Sequence, residues 1–317
     1  MLSRRSVRIK IMQLLYGSVV SQKTLTTESA EREYRRVINQ SYQAYIFALQ
    51  LLMRVLEYTE RDDVFRQNKY LRTAADEAFD LRLLHNPLAQ ALIENEAFAR
   101  ARSVYKLSTL GDPDNIRKFY FDFVKTEPFL AFAQKPLDEL ANEDYLQVIL
   151  ALNKHLTQEE MYQEAIEAYF SGYDDDASLI EGALKKSIKS VLTNPLFVEV
   201  HLPDEATIGE YGSDFLYKLV HFKDAIDARV NSKLENWDPE RVTIIDRILL
   251  TMATAELLYC PTIPLKVTMD EYIELAKMYS TDKSKEFVNG IIDQVVRDLK
   301  TEGILNKSGR GLNSGNK

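Results

Sequence analysis

The chain has 317 residues, a formal net charge of −8 and 45% hydrophobic residues. This length is enough for one large or two medium domains with a sizeable buried core. The acidic balance excludes non-specific binding of nucleic acid by the whole surface, although a local basic patch is compatible with it. The 11 glycines and 9 prolines are few for the length, which disfavours a β-sandwich with many tight turns.

The cysteine content and the hydropathy pattern indicate a cytoplasmic protein. Cys260 is the single cysteine, so no intramolecular disulfide can form, which fits a reducing compartment. No apolar run approaches the ~20 residues needed to cross a bilayer. The N-terminus carries arginines but lacks the apolar segment and cleavage site of a signal peptide. We therefore expect no membrane partner.

The first predicted helix, over residues 3–20, begins with a cluster of cations. No acidic residue precedes Glu28, and four basic side chains lie in the first turns: Arg4, Arg5, Arg8 and Lys10. Cations at a helix N-terminus oppose the helix dipole, typically by ~0.3–1 kcal/mol each. These charges either bind an anion or form a solvated, slightly unfavourable helix end, and position alone leaves both interpretations open.

Helices are also predicted for most of the chain between residues 25 and 200. A long helical pattern begins at Thr27 and continues to about Thr59, with an aromatic stripe that is typical of a core-facing surface. The acidic run at 174–176 could suggest a cluster of metal ligands, but an acidic lead into a helix is the favoured interpretation. Residues 197–202 form the only strand-like run, and an extended linker explains them as well.

A predicted helix after residue 237 has clear start signals. Asp238 is suited to the N-cap and Pro239 to the first helical position, where the fixed φ of proline helps and its missing N–H costs nothing. Trp237 precedes this cap and is expected to pack on Val242 as a hydrophobic staple. In the next helix, Thr268 and Glu271 form a T-x-x-E capping box, which predicts that this helix starts there.

The last helix begins with basic residues next to aromatic ones. Lys283 and Lys285 precede Phe287, and Tyr279 lies just before the intervening loop. Single-stranded RNA is recognised by this combination, because phosphates attract cations and unstacked bases stack on aromatic rings, at ~1–3 kcal/mol per base. The alternative is that both rings belong to the core.

Motifs for catalysis are not recognisable in the sequence. The four histidines are scattered and none pairs with another at metal-ligand spacing. Phosphate-binding glycine loops and the G-x-S-x-G nucleophile motif do not occur. Cys260 is most simply a small buried hydrophobic residue. The sequence therefore predicts a non-enzymatic protein that needs no cofactor or metal.

Two segments, SRRSVRIKIMQLLY near the N-terminus and IPLKVTMDEYIELAKMYSTDKSKEFVNGIID near the C-terminus, resemble the NusB family of transcription antitermination factors. The resemblance covers about residues 3–20 and 213–296. It implies an all-α fold, with NusB-like helical bundles and a large helical insertion. The expected organisation is an arginine-rich first helix over 1–24, an expanded helical region over 25–200, a NusB-like domain over 203–302 and a disordered tail over 303–317.

The resemblance also implies partners and contact residues. Members of the family bind boxA RNA of ribosomal RNA operons together with the ribosomal protein NusE, and act with other Nus factors on the RNA polymerase elongation complex. The residues expected to contact RNA are Arg4, Arg5, Arg8, Lys266, Tyr279, Lys283, Lys285 and Phe287. The residues expected to contact NusE are Tyr16, Glu240 and Asp246. An acidic docking group such as Asp246 also suits a basic ribosomal protein on physical grounds, and the alternative is an exposed charge that only aids solubility.

Two other functions are compatible with the sequence. A helical protein-interaction scaffold would keep the fold without binding RNA, and a titration with boxA RNA separates it from the antitermination factor. An RNA-modifying enzyme is a third possibility, since NusB-like domains also occur fused to RNA methyltransferase domains. The lack of a nucleoside-binding glycine motif ranks it last.

Overall fold

The computed structural model describes residues 1–235, 237 and 242–307. Regular structure in this part of the chain is helical and contains no strand, which confirms the predicted all-α class. The α-helices are α1 (Arg4–Val20), α2 (Thr27–Gln67), α3 (Ala74–Glu77), α4 (Pro87–Ile93), α5 (Glu96–Val104), α6 (Pro113–Phe123), α7 (Glu127–Gln134), α8 (Asn142–Gln158), α9 (Glu160–Glu167), α10 (Tyr173–Ser190), α11 (Asp214–His221), α12 (Lys223–Leu234), α13 (Ile244–Tyr259), α14 (Leu265–Tyr279) and α15 (Ser284–Thr301). Two 3₁₀ turns (Leu137–Glu139 and Glu199–His201) and a π-helix (Ala206–Ser213) complete them.

The chain divides into two compact units. The first unit comprises Met1 and Asn39–Leu202, and the second comprises Leu2–Ile38 and Pro203–Lys317. The division falls inside α2, so the first part of that helix is counted with the second unit. This differs from the expected division after residue 24, which followed the family resemblance and not the packing.

In the first unit, the second part of α2 is buried along most of its length. Tyr45 is completely buried, and its hydroxyl forms a 2.5 Å hydrogen bond with the hydroxyl of Ser187 on α10. The acidic run at 174–176 lies in the first turn of α10, as the favoured interpretation predicted. Asp176 in that run is buried and accepts a hydrogen bond from the hydroxyl of Ser41 at 2.5 Å. The aromatic stripe of α2 is therefore core.

In the second unit, α13 is the central helix and packs against α1, α11, α12, α14 and α15. Its sequence is apolar on nearly all sides, which is typical of a helix surrounded by other elements. Leu249, Leu250 and Met252 are buried, and full burial of such a side chain contributes roughly 1.5–3 kcal/mol. Glu256 is buried in the same helix although it carries a charge.

The start of α13 differs from the prediction. The helix begins at Ile244, with Thr243 as N-cap, whose hydroxyl accepts a hydrogen bond from the backbone N–H of Asp246 at 3.0 Å. The predicted start at Asp238 and Pro239 lies outside the described part of the chain, in which Val242 and Thr243 precede the helix. Thr243 is a suitable cap because its side chain reaches the backbone N–H of the third helical residue.

The start of α14 also differs, since this helix begins at Leu265 and not after Thr268. The capping-box prediction failed because both side chains have partners in other helices. Thr268 donates to the Glu256 carboxylate at 2.8 Å, and Glu271 accepts from Arg5. The strand-like run at 197–202 is not a strand, because it contains a 3₁₀ turn.

Candidate nucleic-acid interface

The N-terminus of α1 is capped by its own sequence. The hydroxyl of Ser3 accepts from the backbone N–H of Ser6 at 3.2 Å, and the hydroxyl of Ser6 accepts from the backbone N–H of Ser3 at 3.3 Å. This reciprocal box satisfies two of the unpaired donors at the helix start. It places Arg4 and Arg5 in the first turn, which contains no acidic residue of its own.

Arg8 points into the second unit and not to solvent. Its side chain is only 2% exposed and forms a bidentate ion pair with Glu256 on α13, with Nε–Oε2 and Nη2–Oε1 distances of 2.8 Å. Its guanidinium also lies over the rings of Tyr211 and Tyr272, at 5.4 and 5.8 Å from the ring centroids. The structure therefore uses Arg8 to attach α1 to α13, and leaves it away from any surface that RNA could reach directly.

Glu256 collects further hydrogen bonds from three hydroxyls. They come from Tyr211 at 2.9 Å, Tyr272 at 3.2 Å and Thr268 at 2.8 Å. Burial by itself would raise the pKa of Glu256, but the hydrogen bonds and the charge of Arg8 outweigh it, and the pKa lies below its usual value. The carboxylate is thus fully paired in the core, which is the condition for a stable buried charge.

Arg5 pairs with Glu271 on α14 at the surface. Nε and Nη2 of Arg5 donate to the two carboxylate oxygens at 2.8 Å each, while 46% of the Arg5 side chain stays exposed. The hydrogen bonds that Arg5 donates to Glu271 raise the pKa of Arg5. A guanidinium has five N–H donors, so this pair leaves donors on the outer edge for an anion such as phosphate.

Arg4 precedes Arg5 in the first turn of α1, and Lys266 lies on α14, the helix that carries Glu271. Arg4 is exposed, with its guanidinium carbon 5.3 Å from the centroid of the Tyr211 ring. Lys266 is exposed in the first turn of α14, about 8 Å along the helix axis from Glu271. We call Arg4, Arg5 and Lys266 the N-terminal basic group.

The other predicted RNA contacts lie at the opposite end of α14. Tyr279 ends that helix, and Lys283, Lys285 and Phe287 surround the start of α15; we call these four residues the C-terminal basic–aromatic group. Both lysines are exposed, whereas both rings are half-buried. Along α14, Lys266 and Tyr279 are separated by about 20 Å. The predicted RNA surface therefore consists of two groups, and a strand that contacts both must follow the length of α14.

Asp246 holds the C-terminal basic–aromatic group in place. It is 2% exposed and accepts hydrogen bonds from the hydroxyls of Ser280 at 2.8 Å and Ser284 at 3.0 Å. These bonds join the start of α13 to the loop and first turn that carry Lys283 and Lys285. The structure thus gives Asp246 a local structural contact, and its expected role in binding NusE stays a prediction.

Tyr16 is the exposed member of the predicted NusE contacts. Its side chain is 42% exposed on the second half of α1. Its neighbours Leu15 and Val19 line a cavity of about 340 Å³, together with Leu219 and Ile248. Glu240, the third predicted contact, lies outside the described residues.

Two important side chains were not singled out by the sequence pattern: Glu256 and Lys307. A carboxylate inside the apolar run of α13 was a usable signal, because acids are almost never fully buried unless paired. Lys307 falls in the predicted disordered tail, yet it is buried and donates to the carbonyls of Glu256 at 2.8 Å and Cys260 at 3.0 Å. Each of these carbonyls also accepts a backbone N–H, so Lys307 adds a second hydrogen bond to both at the C-terminal end of α13.

Clusters of three or more His, Cys, Asp or Glu side chains that could hold a metal ion do not occur within the residues described. In the same part of the chain, each helix is too short or too polar to cross a bilayer.

Comparison with known proteins identifies the family. The NusB family matches residues 177–297. The chain is 41% identical to the transcription antitermination protein NusB of Salinibacter ruber over 115 residues, which are 36% of this chain and 72% of that protein. The NusB protein of Pseudothermotoga lettingae is 37% identical over 116 residues, which are 37% of this chain and 80% of the relative. The chain belongs to the NusB family.

A third NusB relative, from Chloroherpeton thalassium, is 41% identical over 116 residues, which are 35% of this chain and 54% of that protein. No solved structure matches the chain. The residues before 177 lie outside the NusB match, in keeping with an expanded N-terminal region.

The NusB match includes α13, α14 and α15, and therefore Lys266 and the whole C-terminal basic–aromatic group. Helix α1 lies outside residues 177–297. The ion pairs of Arg8 with Glu256 and of Arg5 with Glu271 attach it to the matched helices. Two specific ion pairs thus join α1 to helices that are far from it in the sequence.

Proposed function

We propose that this NusB-family protein is a non-enzymatic transcription antitermination factor that binds boxA-type RNA of ribosomal RNA operons together with NusE. The observation that carries the proposal is the exposed pair of cations Arg4 and Arg5 at the start of α1, where Glu271 on α14 holds Arg5. The Arg8–Glu256 pair attaches α1, which carries these exposed cations, to the family-matched helix α13. Exposed cations on a fixed helix surface attract the phosphates of a single strand.

The second part of the proposal concerns the protein partner. NusE would dock on the surface around the exposed Tyr16, whose neighbours Leu15 and Val19 line an apolar cavity with residues of α11 and α13. Aromatic residues with a polar tip are suited to such interfaces, because they bury a large area and still satisfy a hydroxyl. RNA polymerase and other Nus factors would then join the complex.

A binding titration tests this function. A labelled boxA oligonucleotide and a second oligonucleotide of the same composition in shuffled order are titrated with the full chain, with and without NusE. We expect preference for the boxA sequence and tighter binding when NusE is present, because the two proteins form a composite surface. Equal binding of both oligonucleotides, or none under any condition, would overturn the proposal.

A scaffold without RNA binding is the second candidate, and the charge distribution favours it in part. Residues 39–202 contain 17 Lys/Arg and 26 Asp/Glu, a net charge of −9, so the remaining residues together carry +1. A strongly acidic helical unit is suited to basic protein partners and repels nucleic acid. Absence of any RNA response in the same titration, combined with binding of NusE, would select this function.

A further inference from the structure

Trp237 is a large aromatic side chain that none of the contacts above explains. It is the only tryptophan of the chain, and 40% of it is exposed. The expected staple with Val242 would place the ring against the protein, and a ring used only in that way would lose most of its exposure. Tryptophan is rarely left this open, since burying such a ring removes 150–250 Å² from water.

Phe287 supports this ring without covering it. The two ring centroids are 4.8 Å apart and the planes are inclined by 71°. In a nearly perpendicular pair, one ring presents its edge to the other, so Phe287 can cover at most one face of the indole. At least one face of Trp237 is therefore free of Phe287. The half-buried phenylalanine ring supports the indole from the other side.

A cation, Lys283, lies on the same side of α15 as the supporting ring of Phe287. Lys283 has a helical backbone conformation at the N-cap of α15 and lies four residues before Phe287, so both side chains leave the same side of the helix. Lys285 is exposed in the following turn. Within the described part of the chain, no carboxylate forms an ion pair with either lysine.

The local backbone at this position is fixed by hydrogen bonds. Asp246 accepts from Ser280 and Ser284, and these residues flank the loop that carries Lys283. A contact site on a fixed element loses little conformational entropy when a ligand binds.

We propose that Trp237 is a base-stacking platform for single-stranded RNA, with Lys283 holding an adjacent phosphate and Phe287 supporting the indole from beneath. This inference rests on the proposed function and assigns a contact beyond the residues that the family resemblance implied. A stacking platform accepts any base, because every base has a π-face, so Trp237 adds affinity and little sequence preference. Phe287, predicted as a stacking ring itself, is occupied by the indole.

The emission of Trp237 gives a direct test, because no other tryptophan contributes to it. The full chain is titrated with a boxA oligonucleotide labelled at one end, and tryptophan emission and RNA anisotropy are recorded together. We expect quenching of the emission that saturates at the same RNA concentration as the anisotropy. Bound RNA should also protect the indole from acrylamide.

Two variants and a modified RNA series sharpen this test. Trp237→Leu should weaken RNA binding by roughly 5- to 100-fold, the loss of one stacked base, and Trp237→Phe should recover part of it. In a series of oligonucleotides that each lack one base, one position should abolish the quenching in the wild-type chain. Removal of that base should have no further effect on binding by Trp237→Leu.

The outcomes separate this inference from the proposed function. RNA that binds by anisotropy without changing the emission of Trp237 would overturn the platform and leave the proposed function standing. Emission that responds to NusE but not to RNA would also overturn it, and would assign the ring to a protein interface. No anisotropy change under any condition would overturn both. The wild-type emission remains decisive even if Trp237→Leu fails to fold.

Discussion

The arginines of α1 differ in burial. This difference separates a structural role from the RNA-binding role that we propose. Arg8 is in the interior with Glu256, whereas Arg4 and Arg5 stay in contact with solvent. A buried ion pair contributes little compared with two apolar residues, but removal of one partner leaves an uncompensated charge in the core. The RNA surface that we propose therefore depends on Arg8 through the position of α1, and on Arg4 and Arg5 through contact.

Replacement of Arg8 by methionine should strongly destabilise the second unit. The change leaves Glu256 buried without its cation, and we expect the free energy of unfolding to fall by about 3–5 kcal/mol. Urea denaturation followed by the emission of Trp237 measures this unit specifically. Arg5→Met is the matched control and should cost at most about 1 kcal/mol, because its ion pair is half-exposed. Equal losses in both variants would contradict the account.

His201 in the first unit should make stability depend on pH. It is buried against the Tyr45 ring at 4.9 Å between centroids, and its Nε2 has no hydrogen-bond partner in the described part of the chain. Burial lowers the pKa of His201 to about 4, from an ordinary value near 6.5. Between these values the unfolded chain binds a proton that the folded chain does not, so the free energy of unfolding falls as the pH is lowered through this window.

The variant His201→Phe keeps the ring packing and removes the titration. Denaturation at pH 7, 5.5 and 4.5, followed by circular dichroism, should show that the wild-type chain loses more stability than the variant across this range. We expect a difference on the order of 1–2 kcal/mol. Parallel pH profiles for the two chains would exclude His201 as the cause.

For individual residues, the sequence predicted which side chains carry a charge but not which of them are buried. The basic N-terminus of α1 was visible, yet Arg4, Arg5 and Arg8 looked equivalent because their order in the chain does not reveal the position of Glu256. Asp246 was expected at the surface and is buried, because the hydroxyls of Ser280 and Ser284 come from helices that only the fold brings together.

The π-helix Ala206–Ser213 is the element that positions Tyr211 beside Arg8. Its hydrogen-bond pattern is rare, and such segments often accompany functional positions. Gly212 in this segment lies directly against the buried hydroxyl of Tyr34, which donates to the carbonyl of Ile208 at 3.1 Å. The absence of a side chain at Gly212 is what allows this approach.

Replacement of Gly212 by alanine should therefore destabilise the second unit. An added Cβ would lie 1.8 Å from the Tyr34 hydroxyl oxygen and 3.0 Å from a methyl of Val7. Tyr34 is completely buried and cannot move aside, so we expect a loss of about 1–3 kcal/mol. Urea denaturation measures it, and Gly17→Ala is the control, since nothing lies within 4 Å of that position. A loss no larger than that of the control would contradict the packing described.

Element types were predictable because hydrophobic periodicity depends on local sequence, whereas element boundaries depended on distant partners. The T-x-x-E pattern of Thr268 and Glu271 is a valid capping signal, but the two side chains bind Glu256 and Arg5. Residues 197–202 have alternating composition, yet no neighbouring strand is present in the described residues to pair with them. Tertiary contacts outweighed local propensity in both cases.

In the whole molecule, the distribution of net charge follows the division into two compact units. The acidic surplus lies in residues 39–202, and the residues around the family-matched helices are close to neutral in total. The net charge of −8 for the whole chain is therefore compatible with two local basic groups that are suited to RNA. The sequence could reveal the family through short segments, but it could not show that the two basic groups lie at opposite ends of α14.

The measurement that tests the central claim most directly is the salt dependence of RNA binding, because we propose that both basic groups contact one strand. A boxA oligonucleotide is titrated over a salt series with the wild-type chain, Arg4→Ala, Lys283→Ala and the double variant. Arg32→Ala and Lys300→Ala serve as controls, since both cations are exposed and belong to neither group.

We predict that each variant in a basic group lowers the magnitude of the slope of log K against log salt by ~0.7, the value for one lost single-strand phosphate contact. The double variant should lower it by the sum, and the two controls should leave it unchanged. Slopes that are identical in all six chains, or a double variant no different from either single variant, would contradict the claim that one strand follows α14 between the two groups.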